Sequence, residues 1–375
     1  MAEALELAAR ARGRTSPNPM VGAVVVRDGR VVGRGYHHRA GEPHAEVLAL
    51  REAGELARGA TLCVTLEPCS HMGRTPPCAP AVVEAGIAEV FAAIEDPNPL
   101  VAGSGLRFLQ DHGVAVHTGL LSAEALDLNE AFVKRITTGL PFVEIKVAMT
   151  LDGKTATSSG RSRWISGETS RRWVHQRRDH ADAVLVGANT VRLDNPQLTV
   201  RPAPTDGRQP LRCVVTASGN LPAEANLFTD GAAETVVFCS EDRVPKQLTH
   251  ATFVMPNEVQ HPRFAGDRTD SSLDAQNDKM NVDLSAVLRH LAERGVNDVL
   301  VEGGAQLNAA LLRAGLVDRV SAFVAPKLFG GCAPGGFGEL GVLDPSQAIG
   351  LEDLSVEQVG EDWLFRGRPA ACSQA

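Results

Sequence analysis

Three residues whose side chains bind metal ions stand where predicted strands and helices meet, and they constrain this chain more than any other feature of its sequence. His44 opens a predicted helix, Cys69 follows a predicted strand, and Cys78 opens the next predicted helix. One imidazole and two thiolates form a ligand set for Zn²⁺ that leaves a fourth position for water, which is typical of a catalytic site. The sequence therefore predicts a catalytic metal centre in the first third of the chain.

Glu46, two residues after His44, is suited to moving protons at such a centre. Zinc lowers the pKa of its bound water, so that hydroxide is available near neutral pH. A carboxylate beside it can take the water proton and pass it to a leaving amine. His-x-Glu followed by Pro-Cys is the signature of zinc-dependent nucleobase deaminases, and His44, Glu46 and Cys69 match it. A closed structural zinc site with His71 as a fourth ligand is the alternative.

The spacing of the two cysteines departs from the general deaminase signature. That signature has two residues between the cysteines, whereas eight residues separate Cys69 from Cys78. The additional residues are predicted to bulge from the site as a loop that includes His71 and Arg74, and an arginine there suits a phosphate group. The long loop, together with the net charge of -8 and the presence of a second domain, argues against a deaminase of bases in nucleic acid.

Composition excludes several classes of partner. The formal net charge of -8 leaves no global basic field for a polyanion, and aromatic residues make up only 4% of the chain, too few for a surface that stacks bases. No apolar run is long enough to cross a bilayer, and residues 1–6 are acidic, unlike a signal peptide. The seven cysteines do not resemble a disulfide framework. We expect a cytoplasmic protein that binds neither nucleic acid nor membrane.

Hydrophobic patterning predicts two α/β domains that meet near Gly139-Leu140-Pro141. In the first, strands are predicted over 21–27, 30–37, 61–66, 89–94 and 114–118, and helices over 2–12, 44–58, 77–85, 104–112 and 122–138. In the second, strands are predicted over 142–149, 183–188, 211–217, 235–239, 298–302 and 319–325, and helices over 168–180, 284–294 and 305–314. The polar stretch 240–281 is predicted to be a surface insertion. The domains are expected to span 1–139 and 140–370.

At this point the sequence closely resembles the RibD family, the bifunctional deaminase–reductases of riboflavin biosynthesis. The long cysteine spacing is the family's own, and the resemblance covers nearly the whole chain apart from the 240–281 stretch and the C-terminal tail. The matching segments are Pro17 to Gly22, Gly35 to Glu46, Thr65 to His71 continuing to Cys78, Lys146, Leu151 to Lys154, Asp194 to Arg201, and Val301 to Gly304.

The resemblance implies two reactions. The first is hydrolytic deamination of 2,5-diamino-6-(5-phosphoribosylamino)pyrimidin-4(3H)-one by zinc-activated hydroxide, in which Asn18 and His37 would hold the pyrimidine. The second is reduction of the ribosyl group to ribityl by NADPH, which gives 5-amino-6-(5-phosphoribitylamino)uracil. From the residues alone, Asn18 reads equally well as a turn residue between prolines, and His37 as a surface residue at a strand end.

The second domain does not identify a reductase without the resemblance. The G-x-G-x-x-G dinucleotide fingerprint is absent after its first strand. The best local feature is Glu302-Gly303-Gly304, where a strand runs through two glycines into a helix whose backbone N–H groups suit a phosphate. Taken alone, a tight turn that uses glycine for its conformation is the simpler interpretation.

The resemblance implies a cytidine-deaminase-like three-layer fold for the first domain. For the second domain it implies a dihydrofolate-reductase-like α/β fold, which binds NADPH without that fingerprint. The expected NADPH contacts are Ala148, Trp164, Thr190, Asp194, Ser218, Gly304, Ala305, Gln306, Leu307, Asn308, Ala309 and Ala310. The expected substrate contacts are Ser162, Arg178, Leu198, Arg201 and Glu302. Lys146, Asp194 and Glu302 are the three candidates for the acid that donates the proton in the reduction. Lys146 and Asp194, together with Glu46 of the deaminase, are the predicted catalytic residues.

From the residues alone, some of these positions also have a purely structural interpretation. Arg171-Arg172 and Arg177-Arg178 read as solvated helix faces, and Trp164 as a core residue. Two other functions also remain open. One is a nucleic-acid base deaminase, such as a tRNA adenosine deaminase, with an accessory domain, and the other is a binding protein with a closed zinc site. The expected partner is a small phosphorylated pyrimidine, and a homo-oligomer is expected.

Overall fold

The structure is a computed structural model that describes residues 1–72, 75–99, 101–240, 243–245, 247–248, 251–255 and 282–370. The chain divides into two compact units, Met1–Pro141 and Phe142–Ala375. Most of the insertion predicted over 240–281 lies outside the described residues. Within the described part of the chain, no helix is both long and apolar enough to cross a membrane.

The first unit is built on a mixed sheet with strand order β2-β1-β3-β4-β5. The β1–β2 and β1–β3 pairs are antiparallel, and β3, β4 and β5 run parallel. Its strands are β1 (Gly22–Arg27), β2 (Arg30–Tyr36), β3 (Thr61–Val64), β4 (Glu89–Ala92) and β5 (Ala115–Thr118). Its helices are α1 (Ala2–Ala9), α2 (Ala45–Ala53), α3 (Cys78–Glu84), α4 (Ser104–Asp111), α5 (Ser122–Leu128) and α6 (Glu130–Thr138).

Glycine lets α2, the helix that follows His44, lie directly against β2. A Cβ atom added at Gly35 would come within 2.2 Å of the carbonyl oxygen of Ala45, and one at Gly33 within 2.1 Å of that of Ala49. Both distances are far inside van der Waals contact, so larger residues would push the helix off the sheet. Ala45 and Ala49 are fully buried in the same contact. Small residues on both elements thus fix where α2 begins.

The predicted elements of the first unit are present, with one correction at its end. The helix predicted over 122–138 is two helices, α5 and α6, that meet at Asn129. The Asn129 side chain is buried and pairs with the backbone of Met20, accepting from its N–H at 2.8 Å and donating to its carbonyl at 2.9 Å. An asparagine that binds backbone in this way competes with helix continuation, and hydrophobic periodicity does not reveal such a break.

The second unit contains a sheet of order β10-β9-β8-β7-β11-β6-β12-β14-β13. Along this order, every neighbouring pair from β10 to β12 is parallel, whereas the β12–β14 and β14–β13 pairs are antiparallel. Its strands are β6 (Phe142–Thr150), β7 (Ala183–Gly187), β8 (Leu211–Val215), β9 (Thr235–Phe238), β10 (Thr252–Val254), β11 (Asp298–Val301), β12 (Arg319–Ala325), β13 (Leu351–Val359) and β14 (Asp362–Pro369). Its helices are α7 (Glu168–His180), α8 (Ala188–Asp194), α9 (Asn226–Thr229), α10 (Leu284–Glu293) and α11 (Ala305–Arg313).

The central strands of this sheet are the ones that the sequence predicts most clearly. β7, β8, β9 and β11 are almost entirely buried, as expected for parallel strands with both faces covered. The β13–β14 hairpin was not predicted. Eight of the nine β13 residues are exposed, so this strand lacks the alternation of buried and exposed positions that makes a strand recognisable.

Candidate active sites

The metal-binding residues predicted from the sequence converge in the first unit. His44 immediately precedes α2, Cys69 lies beyond β3, and Cys78 is the first residue of α3. One ligand atom from each residue lies within 4.8 Å of the other two. His44 Nδ1 is 3.6 Å from Cys69 Sγ and 3.2 Å from Cys78 Sγ, and the backbone N–H of Cys78 donates to Cys69 Sγ at 3.3 Å.

The surroundings of these three side chains suit a zinc ion. His44 directs Nδ1 toward both sulfur atoms, while its Nε2 lies 3.1 Å from the hydroxyl of Thr75. A histidine ligand is commonly oriented by such a partner on its second nitrogen. Hydrogen bonds from Cys78 and His44 lower the pKa of the Cys69 thiol to about 4. Cys69 therefore favours the thiolate form in which cysteine binds metal.

Glu46 lies beside this cluster as a buried carboxylate that is incompletely paired. It is only 3% exposed, and its Oε2 has no hydrogen-bond partner among the described residues. Burial raises the pKa of Glu46 to about 7, because an ionised carboxylate loses hydration there. A buried carboxylate oxygen without a partner indicates that the site has another component to bind. Glu46 is therefore placed to exchange a proton with a group held at the cluster.

A cavity of about 360 Å³ opens at the cluster and contains the predicted pyrimidine contacts. The Asn18 amide nitrogen is 3.0 Å from His37 Nε2, and His37 Nδ1 is 3.2 Å from the carbonyl of Pro43. His37 thus donates from Nδ1 to Pro43 and accepts from Asn18 at Nε2. His37 is 2% exposed, so its interpretation as a surface residue is wrong. Asn18 and His37 both line the cavity.

Several other residues that line this cavity were missed by the sequence interpretation. Asp96 and Asn98 follow β4, and Arg135 lies on α6 and donates to the carbonyl of Pro17 at 3.0 Å. Burial raises the pKa of Asp96. The Asp96-Pro97-Asn98-Pro99 segment carried a readable signal, since polar residues between prolines directly after a buried strand often form part of a site.

Glu67 fixes the segment that carries Asp96 relative to the predicted metal-binding residues. Its buried carboxylate accepts four backbone hydrogen bonds, from Asp96 at 3.0 Å, Gly103 at 2.9 Å, Gly105 at 2.7 Å and Leu106 at 3.4 Å. Two of these donors belong to the first turn of α4, which lacks a side-chain cap of its own. Glu67 therefore caps α4 from a distant part of the sequence. It also ties the strand end that precedes Cys69 to the segment that carries Asp96.

The second unit has a larger cavity, of about 740 Å³, at the carboxyl ends of β6 and β11, where ligands bind in open α/β sheets. Of the predicted contacts, those that line it are Lys146, Ala148, Ser162, Trp164, Arg178, Thr190, Asp194, Leu198, Arg201 and Glu302. Ser218 and the run from Gly304 to Ala310 are not among its lining residues. His175 lines the cavity without having been predicted.

A buried cluster of charges forms the floor of this cavity. Glu302 lies between Lys146, whose Nζ is 3.4 Å away, and Arg178, which donates to it from Nε at 2.5 Å and from Nη2 at 3.1 Å. Burial alone would raise the pKa of Glu302, but the charges of Arg178 and Lys146 outweigh it and lower that pKa to about 2. Glu302 is therefore an ionised acceptor and a poor proton donor at neutral pH.

The interpretation of Arg177-Arg178 as a solvated helix face is wrong. Arg178 binds Glu302, and Arg177 donates to Glu144 at 2.6 Å and to Asp298 at 2.7 Å. Alternating residues of a strand share one face of the sheet, so Glu144 lies on the same face of β6 as Lys146, and Asp298 begins β11, four residues before Glu302. Two consecutive arginines of α7 thus form two layers of ion pairs under the cavity.

Two further interpretations from the sequence, Trp164 as a core residue and Arg171 as a solvated residue, are wrong. Trp164 is 63% exposed, which excludes a core role, and the Arg171 guanidinium lies 4.6 Å from its ring centre, within cation–π distance. Arg171 also donates to the carbonyl of Ser166 at 2.6 Å and is only partly exposed. Arg172 is exposed and faces Glu168, as predicted for a solvated position.

The glycine pair that ends β11 lies next to another helix start. A Cβ atom at Gly304 would be 3.8 Å from the Thr190 hydroxyl on α8, and the Asn189 amide donates to Gln306 at 3.4 Å. The side chains of four later residues of the run are buried, namely Leu307, Asn308, Ala309 and Ala310. At the beginning of the run, Gly304 and Gln306 are exposed.

Comparison with known proteins covers both units. Residues 1–94 match the family described as "Cytidine and deoxycytidylate deaminase zinc-binding region", and residues 141–365 match "RibD C-terminal domain". The "Riboflavin biosynthesis protein RibD" of Synechocystis sp. is 42% identical over 368 residues, which cover 98% of this chain and 95% of that protein. This match leaves no second half to be explained as an unrelated accessory domain.

Solved structures agree along the full length. A structure of RibD from Acinetobacter baumannii has a TM-score of 0.85 and 37% identity and covers 99% of this chain and 98% of its own. A diaminohydroxyphosphoribosylaminopyrimidine deaminase/5-amino-6-(5-phosphoribosylamino)uracil reductase from Thermotoga maritima has a TM-score of 0.83 and 38% identity, with 99% and 97% covered. The chain therefore belongs to the RibD family of bifunctional riboflavin-biosynthesis enzymes, with a deaminase domain followed by a reductase domain.

Proposed function

We propose that His44, Cys69 and Cys78 hold zinc in the deaminase domain and that Glu46 is its proton shuttle. The observation that carries this proposal is the buried, partnerless oxygen of Glu46 beside three converging ligand atoms. Bound zinc supplies Lewis-acid activation of the attacking water. Glu46 accepts a proton from that water and delivers it to the leaving amino group. A C–O bond forms, the C–N bond breaks, and ammonia leaves.

The substrate proposed for this site is 2,5-diamino-6-(5-phosphoribosylamino)pyrimidin-4(3H)-one. Asn18 and His37 hold the pyrimidine, and Asp96 and Asn98 line the same cavity. Arg135, which lines the same cavity, is a basic group suited to the 5′-phosphate. The cavity volume of about 360 Å³ lies within the range of small-molecule sites, which supports a small phosphorylated pyrimidine as the partner of this domain.

In the reductase domain we assign NADPH and the deaminated product to the larger cavity. NADPH supplies a hydride to C1′ of the opened ribosyl group, which becomes ribityl. Ala148, Trp164, Thr190 and Asp194 are the proposed cofactor contacts, with the backbone at the start of α11. Ser162, Arg178, Leu198, Arg201 and Glu302 are the proposed substrate contacts. Arg201 is exposed at the cavity and is suited to the sugar phosphate.

Lys146 is the proposed proton donor of the reduction. The sequence left Lys146, Asp194 and Glu302 open for this role. Glu302 is held ionised by two cations, so it has no proton to give, whereas the Lys146 ammonium has three donors, one of them directed at Glu302. Glu302 orients Lys146. The Asp194 carboxylate accepts a hydrogen bond from Ser162 at 3.4 Å, and we assign Asp194 the role of positioning the cofactor.

The test supplies the purified enzyme with the diaminopyrimidinone substrate and follows ammonia release and NADPH oxidation separately. The deaminated intermediate, supplied directly, isolates the second reaction. We expect zinc-replete protein to release ammonia without NADPH and to oxidise NADPH only when the deaminated intermediate is present. Absence of both activities in folded, zinc-replete protein would overturn the proposal.

The extent and assembly of the protein complete the proposal. The domains are assigned to 1–139 and 140–370, in a cytoplasmic enzyme that binds neither nucleic acid nor membrane. A homo-oligomer is supported by β13, an edge strand with exposed Leu354 and Val356, and by an apolar cavity of about 460 Å³ that Leu354 and Phe365 help to line. Such a surface on a soluble chain indicates a protein interface. Light scattering on wild type and Leu354→Lys tests it, with a monomeric wild type as the contradicting result.

A further inference from the structure

The loop from Leu198 to Arg201 presents two proposed substrate contacts, and one backbone polar group in each of three consecutive residues is bound by a side chain. The Thr199 carbonyl accepts from Arg178 Nη1 at 2.9 Å. The Val200 N–H donates to Gln209 Oε1 at 2.7 Å, and the Arg201 N–H donates to His175 Nδ1 at 3.1 Å. The loop is therefore held in one conformation by its neighbours rather than by its own hydrogen bonds.

His175 and Arg178 make their bonds to this loop from the same face of α7. Residues three apart in a helix are neighbours on its surface, and both side chains line the 740 Å³ cavity. Arg178 supplies a donor to the loop and His175 supplies an acceptor. Because the Arg201 N–H can only donate, Nδ1 of His175 carries no proton in this arrangement, and the neutral ring has its proton on Nε2.

We propose that His175 is a positioning residue of the reductase, whose neutral ring fixes the backbone at Arg201 and thereby the guanidinium that binds the sugar phosphate. The inference rests on the proposed function of Arg201. His175 acts through Arg201 and takes no part in the transfer of the hydride or proton. Its loss therefore weakens substrate binding and spares the chemical step.

The charges around His175 keep its ring neutral near pH 7. Arg178 faces it from its own helix, Arg201 from the loop, and Glu302, itself paired with Lys146, from the end of β11. Burial and the two arginines lower the pKa of His175, and Glu302 and a hydrogen bond with the Thr199 backbone oppose them. Protonation at low pH would place an N–H on Nδ1 against the N–H of Arg201, so the loop would lose its anchor at Arg201 while Arg178 and Gln209 still hold Thr199 and Val200.

Two variants at this position separate the acceptor from the bulk of the ring. His175→Asn carries Oδ1 near the position of Nδ1 and keeps the acceptor, whereas His175→Leu removes it. One hydrogen bond contributes about 0.5–1.5 kcal/mol, roughly a 2- to 13-fold change in binding. We expect His175→Leu to raise KM for the deaminated intermediate by about that factor with kcat within twofold, and His175→Asn to stay near wild type. Gln176→Leu, at an exposed neighbouring position, is the matched control and should leave KM unchanged.

A pH profile gives a readout that a purely structural role would not move. On acidification, KM of the wild type should rise more steeply than KM of His175→Asn, because only the histidine loses its acceptor. Parallel profiles, or a KM of His175→Leu equal to that of His175→Asn, would overturn the inference. Arg201→Ala separates the two levels of the argument. If it leaves KM unchanged, the role proposed for Arg201 fails, and if it raises KM while His175→Leu does not, only the role of His175 fails.

Discussion

The two active sites of this chain are built in opposite ways. The deaminase site draws its proposed ligands and proton shuttle from residues 44–78, close to the ends of a few elements, and its proposed chemistry is carried by side-chain types that are rare in such a combination. The reductase site draws on residues from 146 to 303, and its chemistry is carried by common charged residues that a fold has paired. A local site is readable from its motif, whereas a dispersed site is readable only from its geometry.

The largest expected effect separates the two reactions through Glu46. Glu46→Gln keeps the size of the side chain and removes the proton acceptor, so we expect ammonia release to fall by about 10³-fold, within the range of general acid–base catalysis. NADPH oxidation with the deaminated intermediate should not change. Glu84→Gln, at an exposed position of α3, is the matched control. Normal deamination by Glu46→Gln would show that another group moves the proton.

A second prediction concerns the layer of ion pairs below the reductase cavity. Arg177→Met leaves the Glu144 and Asp298 carboxylates buried without their common partner, and breaking such a pair costs about 3–5 kcal/mol. We expect the free energy of unfolding of the reductase domain to fall by that amount, measured by urea denaturation. Zinc content and ammonia release should be retained. Unchanged stability would mean that the Arg177 layer does not support the fold.

A third prediction tests Lys146 as the proton donor of the reductase domain, as Glu46→Gln tests the proton shuttle of the deaminase domain. Lys146→Met removes the ammonium and leaves Glu302 paired with Arg178. We expect kcat of NADPH oxidation to fall by about 100-fold, within the range for removal of a general acid, while deamination continues at the wild-type rate. If KM rises and kcat is unchanged, Lys146 binds substrate and another group donates the proton.

The smallest predicted effect concerns Glu67, whose four hydrogen bonds hold the segment of the deaminase cavity that carries Asp96. Glu67→Gln keeps one acceptor oxygen and turns an amide group toward the remaining N–H donors, with a loss of about 1–3 kcal/mol. We expect a comparable loss of stability in the deaminase domain and a several-fold rise in KM for deamination, with zinc content retained. A change in zinc content without a change in KM would show that Glu67 supports the metal ligands alone.

Sequence patterns predicted what depends on local order. The β1–β2 hairpin follows from Asp28-Gly29, both with positive φ in the structure, and the parallel core of the reductase from runs of buried Val, Leu and Ala. The convergence of His44, Cys69 and Cys78 followed from three residue types at defined spacings. Each of these properties is carried by residues that are neighbours in the sequence or by a chemically specific set.

What the sequence did not predict depends on contacts between distant segments. The sequence around Arg178 gives no sign that its side chain is buried. Arg178 is buried because it pairs with Glu302, more than a hundred positions later in the chain. Asn129 breaks a helix because Met20 lies next to it, and Glu67 caps α4 from another element. Hydrophobic periodicity carries no information about such partners, so charged and polar residues that become buried were interpreted as solvated or left out.

Removal and return of zinc test most directly the central claim, that a metal-dependent site and a metal-independent site operate separately in one chain. The enzyme is treated with a chelator and assayed for both reactions, with the deaminated intermediate supplied for the second, before and after zinc is restored. We predict that ammonia release disappears with the metal and returns with it, while NADPH oxidation keeps its rate throughout. Loss of NADPH oxidation in parallel with ammonia release, or deamination that persists without zinc, would contradict the account.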